Sequence, residues 1–223
     1  MTVAMEVLFS LALLAAGYVG TCQYLKNGAF RPFAPGCMKI RGKNRIAYLG
    51  AGVLANGCLL VLFQTLYMQT GLLHQLKLLA LINLMFPVAA VDYETHKIPN
   101  AFLLTALGIR VCFGVGEMCL SMPAVFEIWK DGIIGAAVVG CFFLLILLLF
   151  RNSIGMGDIK LFMVMGLYQG LWGVLNSVFF SLMVSFVLSV GLLLSRKKKR
   201  KDTISFGPSV LAGTVLAVCL AGM

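Results

Sequence analysis

Charge is what this sequence has least of. Only 12% of its 223 residues are charged, with eight acids against eighteen lysines and arginines. An average soluble domain carries about 25%. With 61% of residues hydrophobic and a mean hydropathy of +0.98, too little polar surface exists to coat a water-facing globule. That excludes an ordinary soluble enzyme, a disordered protein and a nucleic-acid-binding module. No two of the seven cysteines are spaced as Cys-x-x-Cys, so a zinc or redox signature is lacking. The first residues lack a basic region followed by an Ala-x-Ala-type site. They read as a retained helix rather than a cleaved signal.

What is present is a series of long apolar runs. The expected architecture is all-α, a single polytopic membrane domain over 1–223 with about eight spanning helices of roughly 20 residues each. The spans fall at 4–25, 46–69, 74–92, 100–116, 132–150, 157–173, 174–195 and 206–222. Between the sixth and seventh, 169–173 offers only a short reversal. Twelve of the eighteen basic residues lie in two clusters, within 26–45 and at 196–201. Basic loops favour the cytoplasmic side. Placing both clusters there puts both termini outside, and makes 26–45 a short basic cytoplasmic loop. The basic residues then contact anionic lipid rather than nucleic acid.

Ionisable groups at membrane depth point to function. Two acids stand at the inner ends of spans in turn-prone surroundings. Asp92 closes the third span and is followed by Ile98-Pro99-Asn100. Asp158 opens the sixth within Gly155-Met156-Gly157-Asp158-Ile159-Lys160. Two carboxylates at one depth can share a proton, one acting as base toward water while the other protonates a peptide carbonyl. Gly155 and Gly157 leave room for an extended peptide. Lys160 is placed to tune the charge of the pair. Taken singly, an acid at a helix end is most simply a cap, and a glycine pair a turn. A third segment, Ser205-Phe206-Gly207-Pro208, precedes the last span. It reads as a turn with proline at a helix start, or as irregular backbone able to pair with a substrate strand.

Together the three segments resemble the type IV prepilin peptidase family, bacterial membrane aspartyl peptidases with a GxGD motif. Asp92 with its downstream I-P-N, the G-x-G-D-x-K-L at 155–161 and the F-G-P at 206–208 appear in the family's order. Ser205 stands where the family usually has proline. The resemblance implies Asp92 and Asp158 as the catalytic pair. Gly155, Gly157, Lys160, Phe206, Gly207 and Pro208 would support the site or bind substrate. The implied reaction is removal of the short basic leader from a prepilin or pseudopilin at the cytoplasmic face of the inner membrane. It uses no metal or cofactor and forms no acyl-enzyme. The product would enter a pilus or secretion assembly system. Longer members carry a cysteine-rich, zinc-binding insertion after the first span. Here 26–45 holds only Cys37, the short form, so N-methyltransferase activity is not expected.

A different class remains open on these residues: a small proton- or cation-coupled transporter using Asp92 and Asp158. It needs a continuous polar path, whereas the fourth, fifth and seventh spans are almost wholly apolar. His96, four residues after Asp92, has two readings: a residue facing the site or, more simply, a solvated loop histidine. Trp129 and Trp172 read as interfacial anchors.

Overall fold

The computed structural model describes residues 2–27, 42–65, 71–119, 122–150, 154–194 and 205–221. The expected basic loop at 26–45 and the run 196–201 fall largely outside them. Among the described residues there is helix and no strand. The helices are α1 (Thr2–Asn27), α2 (Gly42–Thr65), α3 (Leu72–Thr95), α4 (Asn100–Glu117), α5 (Met122–Leu149), α6 (Met156–Leu194) and α7 (Gly207–Ala221). Five of these contain stretches long and apolar enough to cross a membrane, and Tyr48–Phe63 and Gly207–Leu220 are shorter apolar helices. The chain is a multi-pass membrane protein.

The expected sixth and seventh spans are both found within α6. Gly170 interrupts that helix with φ 73° and ψ −174°, a conformation nearly confined to glycine. The chain reverses there. Asp158 and Leu182 line one cavity, whereas 24 residues of straight helix would separate them by about 36 Å. The boundary expected at 173/174 therefore lies at Gly170, and the helical segments among the described residues number eight.

α3 is the centre of the bundle. One side packs into a cluster with α4, α5 and α6, including Leu81, Met85, Phe102, Phe162 and Met165. Its other side joins α1, α2 and α7 through Leu78, Phe86, Leu14, Leu59 and Val218. Glycine permits the closest approaches, as expected between membrane helices. A Cβ at Gly166 would meet the backbone of Gly135 and Ala136 on α5. One at Gly213 on α7 would meet the backbone of Ser181.

The reversal at Gly170 leaves two backbone groups without their helical partners, and charged side chains from other helices take them up. Leu171 N–H donates to Asp131 Oδ1 at 3.2 Å. The Leu167 carbonyl accepts from Arg110 Nε at 2.8 Å. Arg110 continues to Glu117 at 3.0 Å, and Glu117 to Lys77 at 3.3 Å. The Trp129 ring covers the guanidinium at 4.4 Å. Trp129 was expected at the lipid interface; its ring instead shields a buried cation, a contact favoured by the ring's negative face.

Candidate active site

Asp92 lies one turn before the end of α3 and is only 6% exposed. α3 stops at His96, which is left-handed (φ 51°, ψ 34°) and donates its N–H to the Asp92 carbonyl at 2.8 Å. Ile98 and Pro99 then carry the chain into α4, with Pro99 as its extended N-cap. Asp158 sits in the first turn of α6. Its N–H donates to the Gly155 carbonyl at 3.0 Å, which fixes the turn presenting the carboxylate.

The two acids, 66 positions apart in the chain, line one cavity of about 500 Å³ and lie close enough to interact electrostatically. Gly155, His96, Ser205 and Phe206 share the wall with apolar Phe143, Phe162, Leu182 and Ile154. Phe162 stacks on Phe143 with ring centres 4.9 Å apart and meets Phe206 edge-on at 5.9 Å. The polar groups thus open against an aromatic and aliphatic wall.

α7 locks the first acid in place. Gly207 N–H donates to Asp92 Oδ2 at 2.7 Å within the buried interior. That N–H belongs to the first turn of a helix, where no intrahelical acceptor exists. A Cβ at Gly207 would come within 2.9 Å of the Asp92 Cβ and 3.2 Å of the Ala89 Cα. Glycine is what lets the helix start approach α3.

The remaining residues singled out from sequence divide. Phe206 and Gly155 belong to the cavity. Gly157 does not line it; a Cβ there would press on Ile98 Cβ at 3.0 Å, so its role is close packing of the two motif segments. Pro208 lines a separate groove with Tyr48, Phe86 and Tyr93. Lys160 turns away from the acids. Its Nζ donates to Asn100 Oδ1 at 3.1 Å, and both residues border another groove between α4, α5 and α6. The reason is helical geometry, since residues two apart do not share a face. His96 is an exposed residue of the connection between α3 and α4, and it also borders the cavity.

The sequence model of the type IV leader peptidase family matches residues 79–192, which include both acids and the first turn of α6. The chain belongs to this family. The prepilin leader peptidase/N-methyltransferase of Bacillus subtilis (strain 168) is 29% identical over 136 residues, covering 61% of this chain and 52% of that protein. The chain thus spans about half the length of the curated relative it matches. No solved structure matches it.

For a leader peptidase family member, Gly155 offers a test of the carboxylate's position. A Cβ at Gly155 would lie 2.9 Å from Asp158 Oδ2 and, among the described residues, meets nothing else within 4 Å except Asp158 Cγ at 3.8 Å. A flexible carboxylate moves aside cheaply, so the fold tolerates the methyl group while the carboxylate oxygen is displaced. Gly155→Ala is expected to lower peptide cleavage by about tenfold to a hundredfold. Thermal unfolding in detergent should shift by no more than a few degrees. A large loss of stability would show that Gly155 serves the fold instead.

Proposed function

We propose that this chain is an aspartic endopeptidase that removes the short leader from prepilin or pseudopilin precursors. The observation that carries the reading is the meeting of Asp92 and Asp158 in one cavity, from two helices and two separate motifs. An ionised carboxylate takes a proton from water as its oxygen attacks the scissile carbonyl carbon. The other carboxyl group gives its proton to the carbonyl oxygen. The tetrahedral intermediate collapses when the amide nitrogen is protonated and the C–N bond breaks. Both products leave without any covalent link to the protein.

The surroundings suit a substrate with apolar side chains beside the cut. α5 continues from Phe143 to Leu149 beyond the cavity. The second segment of α6 continues twelve residues past Leu182, about 18 Å. Both extensions expose apolar side chains, among them Leu148, Phe186 and Leu194. Both run toward the basic residues that follow them in the sequence, Arg151 and 196–201, so a peptide entering from that side passes apolar surface before it meets the acids.

Basic residues concentrated in 26–45 and 196–201 support an inner-membrane orientation with the cavity toward the cytoplasm. Anionic lipid would meet those loops, and the cleaved product would pass to a pilus or secretion assembly system. Only the hydrolytic activity is assigned, because 26–45 lacks the cysteine-rich insertion of longer members. The transporter reading is the less favoured one on the described residues. Leu81, Met85, Val88, Phe102 and Met165 form an apolar cluster in the interior.

Purified protein incubated with a co-encoded prepilin should yield a product lacking the leader. Mass spectrometry of the new N-terminus reads the cut directly. An intact precursor, with the protein folded, would refute the reading. Ion or substrate uptake by liposomes in the absence of cleavage would favour a transporter.

A further inference from the structure

Resting on the peptidase reading, we infer that His96 is a substrate-binding residue, donating a hydrogen bond to the main chain of the bound peptide. The first observation is conformational. His96 is the one residue other than glycine with positive φ among the described residues. At the C-cap of α3 this left-handed position suits glycine best, and a side chain there is held at a cost. The backbone N–H already performs the capping task, bonding to the Asp92 carbonyl. Nothing in that task requires an imidazole.

The second observation is position: His96 is among the residues that border the cavity with Asp92 and Asp158. An extended peptide presents carbonyl oxygens as well as N–H groups, and buried carbonyls need donors. The two acids supply mainly acceptors. Of the described side chains lining the cavity, His96 and Ser205 add further polar donors. Lys160, which the sequence suggested as the positive neighbour of the acids, is turned to Asn100. An imidazole carries an N–H donor in either protonation state, so His96 can serve a peptide carbonyl over a broad pH range.

His96→Gly separates side chain from backbone, because glycine accepts the left-handed conformation without strain. The probe is a fluorescent peptide with a basic leader, a glycine at the cut and an apolar segment. His96→Gly should raise KM by about three- to tenfold, with kcat held within about twofold and thermal stability equal or higher. His96→Asn also tolerates this backbone and brings an amide donor, so it should recover part of the lost affinity. The same peptide should bind a His96→Gly, Asp158→Asn double variant correspondingly more weakly than Asp158→Asn alone. This second readout needs no cleavage and stays decisive if the peptidase reading fails. Loss of cleavage in no dyad variant would strike at that reading. An unchanged KM and an unchanged peptide affinity in His96→Gly would overturn the role given to His96. A fall confined to kcat would overturn it too, since it would place the imidazole in the chemical step.

Discussion

Asp92→Asn and Asp158→Asn are each expected to lower precursor cleavage by about a thousandfold or more, with helical content and membrane insertion retained. Asparagine keeps the shape of the carboxylate and supplies neither a base nor an acid. It is also the right substitution for Asp92. Gly207 N–H needs an acceptor at 2.7 Å, and the amide oxygen of asparagine still provides one. Alanine there would leave a buried donor unpaired, at a cost of about 1–3 kcal/mol, and would mix a folding defect into the rate. The double variant should be scarcely slower than either single one, because the two acids act as a unit. Rates come from single-turnover cleavage, with the new N-terminus read by mass spectrometry. A tenth of the wild-type rate surviving in either single variant would remove that acid from the chemistry.

How far the sequence discloses this arrangement depends on which interaction is asked about. Spanning segments are plain as apolar runs, since a lipid-exposed helix must be apolar on every outward face. Gly170 lies within the short reversal expected at 169–173, and its φ of 73° explains why the chain turns there. The juxtaposition of Asp92 with Asp158 follows from motif order and common depth. What stays hidden is the direction of individual side chains. Lys160 looks adjacent to Asp158, but two residues turn about 200° round a helix, and it meets Asn100 instead. His96 gives no sign of its left-handed backbone, because that conformation is set by the end of α3 and the path toward Pro99. Gly207 looks like part of a turn; only its N–H contact with Asp92 shows it as the link between the last helix and the acid.

The same limit hid the charged cluster at the opposite end of the bundle, where the largest effect on stability is expected. In the sequence Lys77, Arg110 and Glu117 stand 33 and 7 positions apart, with no motif to join them. In the fold they are buried together, with side-chain exposures of 6%, 2% and 2%. Arg110 is the hub, since its Nε meets the Leu167 carbonyl and its Nη1 meets Glu117. Arg110→Leu removes both bonds. It also strips Trp129 of the cation beneath its ring. It leaves Glu117 with a single cationic partner at 3.3 Å, and the Leu167 carbonyl without its donor. Breaking a buried ion pair from one side costs about 3–5 kcal/mol, and the orphaned carbonyl adds to this. Arg110→Leu should therefore lower stability by at least about 3 kcal/mol, read as a fall in the thermal midpoint in detergent. Lys cannot replace it: its ammonium is a single point of donors, without the planar fork that spans a carbonyl and a carboxylate together. Arg110→Lys should recover less than half the loss. The effect on activity should follow the folded fraction, because the acids lie at the other end of the first segment of α6, about 18 Å from Gly170. A variant that keeps wild-type stability would show that the reversal at Gly170 holds without Arg110. The cluster would then be a redundant feature of the fold rather than its clasp.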